Sequence, residues 1–470
     1  MSVQITDMDV FFNPKSIAII GASESFKFGY TMTNYLLNSK FKTYPVNINK
    51  DIIFGHKVFK NINDIPENIE LAIVVVNNEH VLQIVKDSVK KGVKGIIIET
   101  AGFAETGIEQ FVNIQKEIEV IAKNSNVRII GPNCVGVTNF NNKFTTAEID
   151  FDQSIENGTI SVIAQSGVLG NIFVEWSASQ KIGFSKTITL GNKVDVDEID
   201  MLEYLEKDVN TNVITIYLEG VKRGPKLVEI LRKLTKPVLI LKNGRSELGA
   251  QAIKSHTGSI AGNDKIYDSI FKQYSGIYRV NNFYEMFNIA QVFATQPLPK
   301  GKNIAIITSS GSLGILACDE IERLGLKLAD LNDSTIQEMK SISPNWTSLK
   351  NPVDLGPSLF TTFSQSLKAI LNDENVDALL HIFAVPQKPI EAFSLPITPH
   401  LREMRNLSTK LKKPVITCVF GSRWVVEYFL KHSYKYKIPI MAQISHAIKA
   451  FKFMYDFGQS NKNISKNLEV

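Results

Sequence analysis

The chain reads as an α/β protein built on parallel sheets, and three observations carry that reading. Short β-branched runs alternate with longer amphipathic stretches, the pattern of strands joined by crossover helices. Runs such as Leu71–Val76 (LAIVVV) and Gly95–Ile98 (GIII) are apolar at every position, as strands covered on both faces require. One strand–turn–helix string also occurs twice, as ISVIAQSGVLG at Ile160–Gly170 and as IAIITSSGSLG at Ile304–Gly314.

In chain order, Ser16–Ile20, Leu71–Val76, Gly95–Ile98 and Val127–Ile130 are expected as buried strands of a first unit, residues 1–148. Thr159–Ala164, Val213–Leu218 and Val238–Lys242 follow in a second unit, whose strands end around Val280. Asn281–Pro299 is expected as a helix and linker, punctuated by Pro297, Pro299 and Gly301. This sets the second domain at 149–298 and the third at 299–470. Lys413-Pro414-Val415-Ile416 echoes Lys236-Pro237-Val238-Leu239, so units two and three are expected as copies of one three-layer, flavodoxin-like α/β/α layout. The repeat is one of whole domains, not of a short solenoid period. The copies differ where chemistry would sit. Unit two ends a strand in Glu219 (TIYLEG), unit three ends the corresponding strand in Val385 (HIFAV), and unit three has no counterpart of the string SHTGSIAG. Unit two is therefore expected to be catalytic and unit three a structural or docking relative.

A chain of 470 residues is too long for one core, and about three domains are expected. With 44% hydrophobic and 21% charged residues and a mean hydropathy near zero, the composition is that of a globular protein. The net charge of +5 is spread without a basic block, which argues against nucleic acid as a partner. No apolar run reaches the length of a membrane span, and MSVQITDMDVFF is not a signal peptide. Three isolated cysteines, Cys134, Cys318 and Cys418, form neither a disulfide framework nor a CxxC pair. The expectation is a cytoplasmic protein with no membrane or nucleic-acid partner.

The most informative stretch is Leu241–Gly262, where His256 lies among Ser255, Thr257, Gly258, Ser259, Ala261 and Gly262. A core histidine would be wrapped in aliphatic residues, and a metal ligand would have a second ligand at short spacing. Neither is present, and no metal site is expected on this chain. The open backbone suits an imidazole that carries a phosphoryl group as a covalent nucleophile. Gln165-Ser166-Gly167 is a strand-to-helix turn whose Ser166 hydroxyl and Gly167 amide suit phosphate. Glu219, if it faces His256, would fix the tautomer and leave the other ring nitrogen nucleophilic. Gly131-Pro132-Asn133-Cys134-Val135-Gly136 is a rigid loop at the carboxyl end of a sheet, where ligands collect. Cys134 has no activating neighbour in sequence and reads as a small packing residue. Gly21-Ala22-Ser23 with Gly29 forms another phosphate-compatible turn, with Asn47 and Lys50 downstream as nucleotide contacts.

Taken together, GNKVDVDEIDMLEYL (Gly191–Leu205), YLEG (Tyr217–Gly220), KNGRSELGAQAIKSHTGSIAG (Lys242–Gly262) and GPNCVG (Gly131–Gly136) resemble the α subunit of the NDP-forming acyl-CoA synthetases, relatives of succinyl-CoA ligase. The resemblance covers nearly the whole chain. It implies a Rossmann-like CoA-binding domain, then a ligase-CoA domain carrying a phosphohistidine loop, then a second flavodoxin-like domain. It implies the reaction acyl-CoA + ADP + phosphate ⇌ carboxylate + CoA + ATP, with coenzyme A as substrate. The acyl phosphate would form beside Asn133, Cys134, Gly136, Ser166 and Gly167. His256 would take the phosphoryl group with Glu219 as its partner, and a mobile segment would carry it away. CoA would meet Gly21, Ala22, Ser23, Gly29, Asn47, Lys50, Val76 and Asn77. ADP or ATP with Mg2+ would bind an ATP-grasp β subunit, in a heterotetramer of the α2β2 kind. Two departures stand out: Val76-Asn77-Asn78 replaces a Pro-Ala pair, and the third unit has SSGSLG for a more glycine-rich turn. Asn351-Pro352-Val353-Asp354 is expected to serve folding. Two other readings are a CoA-binding regulatory or scaffold protein, disfavoured by the presence of His256, Glu219 and Ser166, and a succinyl-CoA ligase α subunit, which lacks a third unit.

Overall fold

The computed structural model describes residues 8–149, 151, 157–257, 262–392 and 398–468, with side chains outside the description at 254–257 and 461–468. They form two compact units, Met1–Ser179 with Gly183–Val280, and Gln180–Ile182 with Asn281–Val470.

The first unit contains two sheets. Its N-terminal sheet is built from β1 (Ile17–Ile20), α1 (Tyr30–Leu37), β2 (Thr43–Val46), a small hairpin β3 (Ile52–Ile53) and β4 (His56–Lys57), β5 (Leu71–Val74), α2 (Asn78–Lys91), β6 (Gly95–Ile98), α3 (Glu109–Asn124) and β7 (Arg128–Ile130). The strand order is β2-β1-β5-β6-β7, parallel throughout. Every residue of β1, β5 and β6 is buried, as expected of runs without polar alternation. The winding reverses between β1 and β5, which opens a crevice at their carboxyl ends.

The second sheet takes β8 (Val137–Asn139), β9 (Phe144–Thr145), β10 (Asn157–Ala164), α4 (Gly167–Ser179), β11 (Phe184–Thr189), α5 (Glu198–Lys207), β12 (Val213–Leu218), α6 (Gly224–Leu231), β13 (Val238–Lys242), α7 (Glu247–Thr257), α8 (Asp264–Gln273) and β14 (Ile277–Arg279). Its order is β14-β13-β12-β10-β11-β8-β9. The edge strands β8 and β9 precede the boundary that patterning sets near Glu148, yet β8 pairs antiparallel with β11 through Lys186↔Asn139 and Ile188↔Val137. Strand β11 carries a lysine at its centre; Lys186 is 2% exposed and pairs with Asp208 at 2.6 Å. Arg128 of β7 reaches Asp195 (2.8 Å) and Asp200 (3.4 Å) ahead of and within α5, so the two sheets of this unit share a partly buried ion network.

The second unit holds α9 (Phe283–Thr295), β15 (Asn303–Thr308), α10 (Gly311–Arg323), β16 (Lys327–Leu328), α11 (Asp333–Lys340), β17 (Val353–Asp354), α12 (Leu359–Asn372), β18 (Ala378–Ala384), α13 (Gln387–Ala392), α14 (Thr398–Leu411), β19 (Val415–Phe420), α15 (Arg423–Tyr436), β20 (Ile440–Met441) and α16 (Ile444–Leu468). The parallel order is β16-β15-β18-β19-β20, with β17 on β15. Helix α9, expected as a linker, packs on α16 and pairs Glu285 with Lys449. It therefore goes with this sheet by packing. Asn351 accepts from Ile306 N (2.9 Å) and donates to Ile304 O and Ala329 O, the structural role its motif suggests. Among the described residues no helix is long and apolar enough to cross a membrane.

Candidate functional site

A cavity of about 480 Å³ lies at the crevice of the first sheet. Gly21, Asn47, Val76 and Asn77 line it, together with Lys27, Lys60 and the first turn of α2 around Glu79 and His80. Gly21 has φ +94°, and a Cβ there would lie 2.6 Å from Val75 O, so only glycine lets β1 and β5 close at this point. Asn47 is held by its bond to Ala22 O (2.8 Å) and accepts from Asn49 N (2.8 Å). Small residues, two lysines and a helix N-terminus form a setting for a phosphate-bearing ligand.

The other four expected contacts are not among the residues that line it. Ala22 is buried, Ser23 accepts from Ser25 N, and Lys50 is half-exposed and 3.8 Å from Glu24. Gly29 is the informative case. Its amide donates to Glu148 Oε1 at 2.6 Å and that of Thr31 to Glu148 Oε2 at 3.0 Å. An internal carboxylate thus occupies the N-terminus of α1, the place expected for a ligand phosphate. The lysines that reach the cavity are Lys27 and Lys60, and sequence reasoning singled out neither.

A second cluster gathers three loops. In GPNCVG, Gly131 O accepts from Val194 N and Pro132 O from Asn192 N, while Gly191 lies so close that a Cβ would fall 2.1 Å from Pro132 O. The QSG turn joins them, with a Cβ on Gly167 placed 2.9 Å from Val135 Cγ2. Val135 N and Gly136 O are both tied to Thr189, at 2.8 and 2.9 Å. Asn133 takes φ +60° and its amide reaches Asn192 Oδ1 at 3.4 Å. The Cys134 side chain is 3% exposed and faces Ile98 O at 3.3 Å. Burial, and then the nearby Glu99, push its thiol far above the ordinary range, so whatever Cys134 offers a ligand comes from its backbone. The cavity and this cluster connect through Thr100, whose hydroxyl donates to Val76 O (2.7 Å) and whose carbonyl accepts from Asn133 N (2.9 Å).

Glu219 stands at the end of β12, 4% exposed. Gln165 Oε1 accepts from both Glu219 N (2.9 Å) and Gly220 N (3.1 Å), so the QSG turn holds the backbone of the acidic turn. Gln165 was quoted in the sequence motif without a role, and its long amide is what bridges the two. Lys193, also buried, donates to Gly220 O (2.7 Å) and Glu198 Oε2 (3.0 Å). Tyr217 OH lies 3.3 Å from Glu219 Oε1, and among the described residues Glu219 Oε2 is buried without a hydrogen-bond partner. A buried carboxylate oxygen left unmatched costs on the order of 1–3 kcal/mol or more; Glu99 and Glu198 also have such oxygens among the described residues.

His256 lies in the last turn of α7, and its side chain is outside the described residues, as are 258–261 of the following stretch. The expected phosphohistidine loop is thus helical up to His256. The reason is local: Glu247, Leu248, Ala250, Gln251, Ala252, Ile253 and Lys254 are good helix formers, and they outweigh the small residues that follow. Helix α7 packs against the turn at Ala104–Thr106 beside the first sheet.

Comparison with known proteins agrees with this geometry. A CoA binding domain model matches residues 15–139, and a succinyl-CoA ligase like flavodoxin domain model matches 157–293. The chain is 43% identical over 384 residues to the acetate–CoA ligase [ADP-forming] II subunit alpha of Pyrococcus furiosus, covering 81% of this chain and 83% of that one. It is 41% identical over 347 residues to the acetate–CoA ligase [ADP-forming] of Methanocaldococcus jannaschii, where it spans 48% of the longer protein. Among solved structures, the dinucleotide forming acetyl-coenzyme A synthetase 1 of Candidatus Korarchaeum cryptofilum, in complex with phosphate and ADP, superposes with a TM-score of 0.87 at 30% identity, covering 98% of this chain and 99% of that one. Sequence, domain models and whole-chain fold converge, and the chain belongs to the family of ADP-forming acetate–CoA ligases, matching their α subunits.

Proposed function

We propose that the chain is the acyl-transferring half of an ADP-forming acyl-CoA synthetase, working through an acyl phosphate and a phosphohistidine on His256. The observation that carries this reading is the buried Glu219, with one carboxylate oxygen unpartnered among the described residues, on the sheet whose crossover from β13 to β14 carries His256. Coenzyme A enters as substrate. The cavity at Gly21, Asn47, Val76 and Asn77, with Lys27 and Lys60, takes its nucleotide end, and the thioester lies toward Asn133, Gly136, Ser166 and Gly167. A phosphate oxygen attacks the thioester carbonyl, the C–S bond breaks, and CoA leaves as thiolate to collect a proton. One imidazole nitrogen of His256 then attacks phosphorus as the P–O bond to the acyl group breaks, releasing carboxylate. The other ring nitrogen donates to Glu219, which stabilises the positive charge of the phosphoimidazole. Splitting the reaction in this way separates the thioester from the nucleotide.

The nucleotide and its Mg2+ belong, in this reading, to an ATP-grasp β subunit, in an α2β2 assembly located in the cytoplasm. The relative named as a subunit alpha, covered over most of its length, supports a separate partner. In the same reading the chain has three domains, with the third serving docking or structure. The test is incubation of the full chain with acetyl-CoA and radiolabelled phosphate. Acid-labile, base-stable label is expected on the wild type and absent from His256→Ala; equal labelling of both removes the mechanism.

A further inference from the structure

We infer that Tyr217 and Asn243 are a positioning pair for Glu219, presenting one of its oxygens to the imidazole and holding the other back. The inference rests on the phosphohistidine reading and adds residues that motif comparison alone leaves unassigned. Tyr217 is the last but one residue of β12 and Glu219 the first residue past its end, and the two side chains meet there through Tyr217 OH and Glu219 Oε1. The phenol is 7% exposed, with its oxygen 3.3 Å from Glu219 Oε1 and 3.1 Å from Asn243 Nδ2. The Tyr217 hydroxyl donates to Glu219, and its oxygen accepts from the Asn243 side-chain amide. The three side chains therefore have one consistent direction of donation, Asn243 to Tyr217 to Glu219. Burial, and then the charge of Glu219, push the Tyr217 phenol up to about 12, which keeps its proton in place. At 3.3 Å the last bond is loose, as catalytic hydrogen bonds are before reacting groups assemble. Asn243 is anchored by its amide on Leu218 O (3.0 Å), and it roots the segment that leads into α7. The pair thus ties the position of the acid to the base of the helix that carries His256.

The duplicated sheet supplies independent support. Gln165 N donates to Tyr217 O as Ser309 N donates to Ile382 O, and Ala164↔Tyr217 matches Thr308↔Ile382 in register. Val238 and Val415 likewise match as the first residues of β13 and β19. Ile382, Ala384 and Phe420 therefore stand where Tyr217, Glu219 and Asn243 do. The polar trio is replaced as a set in the copy without a phosphohistidine segment.

The experiment is a double-mutant cycle on the full chain, reading the initial rate of label transfer from radiolabelled phosphate in the presence of acetyl-CoA. Tyr217→Phe is expected to lower the maximal rate about tenfold, the worth of one charge-assisted hydrogen bond, with the phosphate concentration for half-maximal rate unchanged. Asn243→Ala, at an exposed position, should fall in the same direction by less. In a Glu219→Gln background Tyr217→Phe should cost nothing further, because its effect passes through the carboxylate. Full additivity of the two substitutions, or an unchanged rate in Tyr217→Phe, overturns the pairing; if Tyr217→Phe does not fold, Asn243→Ala in the same cycle decides. A wild type that takes no label instead defeats the phosphohistidine reading.

Discussion

The sheets built on β10, β12 and β13 and on β15, β18 and β19 share one layout, and their differences separate scaffold from chemistry. Both turn from strand to helix through S-G-x-L-G, and in both a side chain one residue earlier reaches across to the neighbouring strand end. In the second sheet that side chain is Gln165, whose amide oxygen accepts from Glu219 N and Gly220 N. In the third it is Ser309, whose hydroxyl accepts from Ala384 N (2.9 Å) and donates to Ala384 O (3.1 Å). A longer side chain thus holds a turn carrying a carboxylate, and a shorter one closes a turn carrying a methyl group. The same layout tolerates both because parallel strands fix the backbone, while the residues just past their carboxyl ends are free to vary.

The largest effect should come from making the second sheet resemble the third at this point. Gln165→Ser leaves at least one of the two backbone amides unmatched and lets the Glu219 turn move. A displacement of about 1 Å in a positioned group costs on the order of 100-fold in rate, so phosphohistidine formation should fall by about that factor. Circular dichroism should show the fold retained. A variant within threefold of wild type would mean that Gln165 is a spacer and that the contrast with Ser309 carries no chemistry.

A second contrast concerns the middle of the sheets. Register places Ile216 and His381 at the same point, opposite Ile163 and Ile307. His381 is 1% exposed, 3.3 Å from Thr417 Oγ1, and tilted against the Phe363 ring with centroids 4.8 Å apart. Burial, and then the adjacent His400, hold its pKa down to about 3, so folded His381 stays neutral where an unfolded histidine would take a proton near pH 6.5. The unfolded state therefore binds more protons, and stability is lost as pH falls through that window. At pH 5 the loss is about 2 kcal/mol from this group. His400, also lowered by burial, acts in the same direction. His381→Ile should remove about 2 kcal/mol of the stability that the unit holding the third sheet loses between pH 7.5 and 5.0, read by urea unfolding, while His400, His432 and His446, each lowered by burial, keep their share. An unchanged pH dependence would assign the sensitivity elsewhere.

These contrasts also show what the sequence could and could not reveal. The strands LAIV and GIII are legible because no residue in them is polar, and VITIYL because Thr215 is its one small polar residue among apolar neighbours; burial on both faces leaves little else. Strand β11 is not, since Lys186 at its centre looks exposed until Asp208, 22 residues away, is seen to neutralise it. The Glu219 counterpart reads as Val385 by string matching, whereas pairing puts Ala384 there. A one-residue slip exchanges the faces of a strand, and only the ladder reveals it. Glu148 on the amides of Gly29 and Thr31, 119 and 117 residues away, has no local signature at all. Gly21, Asn47, Ser166 and Glu219 draw attention in the sequence because a turn or strand end announces itself locally, whereas Gln165 gains meaning only from Glu219 and Gly220, and Lys27 and Lys60 only from the cavity they share with residues distant in sequence.

The smallest effect tests whether the two copies share a scaffold device outside the chemistry. Each has a Lys-Pro just before a strand, β13 or β19, and each lysine reaches the carbonyls at the end of the helix that precedes the neighbouring strand, α5 before β12 or α12 before β18. Lys236 Nζ donates to Leu205 O and Asp208 O, both at 2.7 Å. Lys413 Nζ donates to Leu371 O (2.8 Å) and Asp373 O (2.7 Å). A cation at a helix C-terminus satisfies orphan carbonyls and opposes the helix dipole. The proline then starts the strand, its carbonyl accepting from Ile214 N or Leu379 N. Lys236→Met and Lys413→Met keep the aliphatic stem and remove the donors, so each should cost about 1–2 kcal/mol, by nearly equal amounts. Neither should change the rate of phosphohistidine formation, because Lys236 lies at the amino end of β13 while Glu219 follows the carboxyl end of β12, and Lys413 belongs to the copy without a phosphohistidine segment. Asp208 keeps Lys186, and Asp373 keeps Asn332 and Thr335, so both acids stay held and the comparison is a fair one. Unequal costs, measured as separate denaturant midpoints, would show that the Lys-Pro echo is a likeness of sequence and not of energetics.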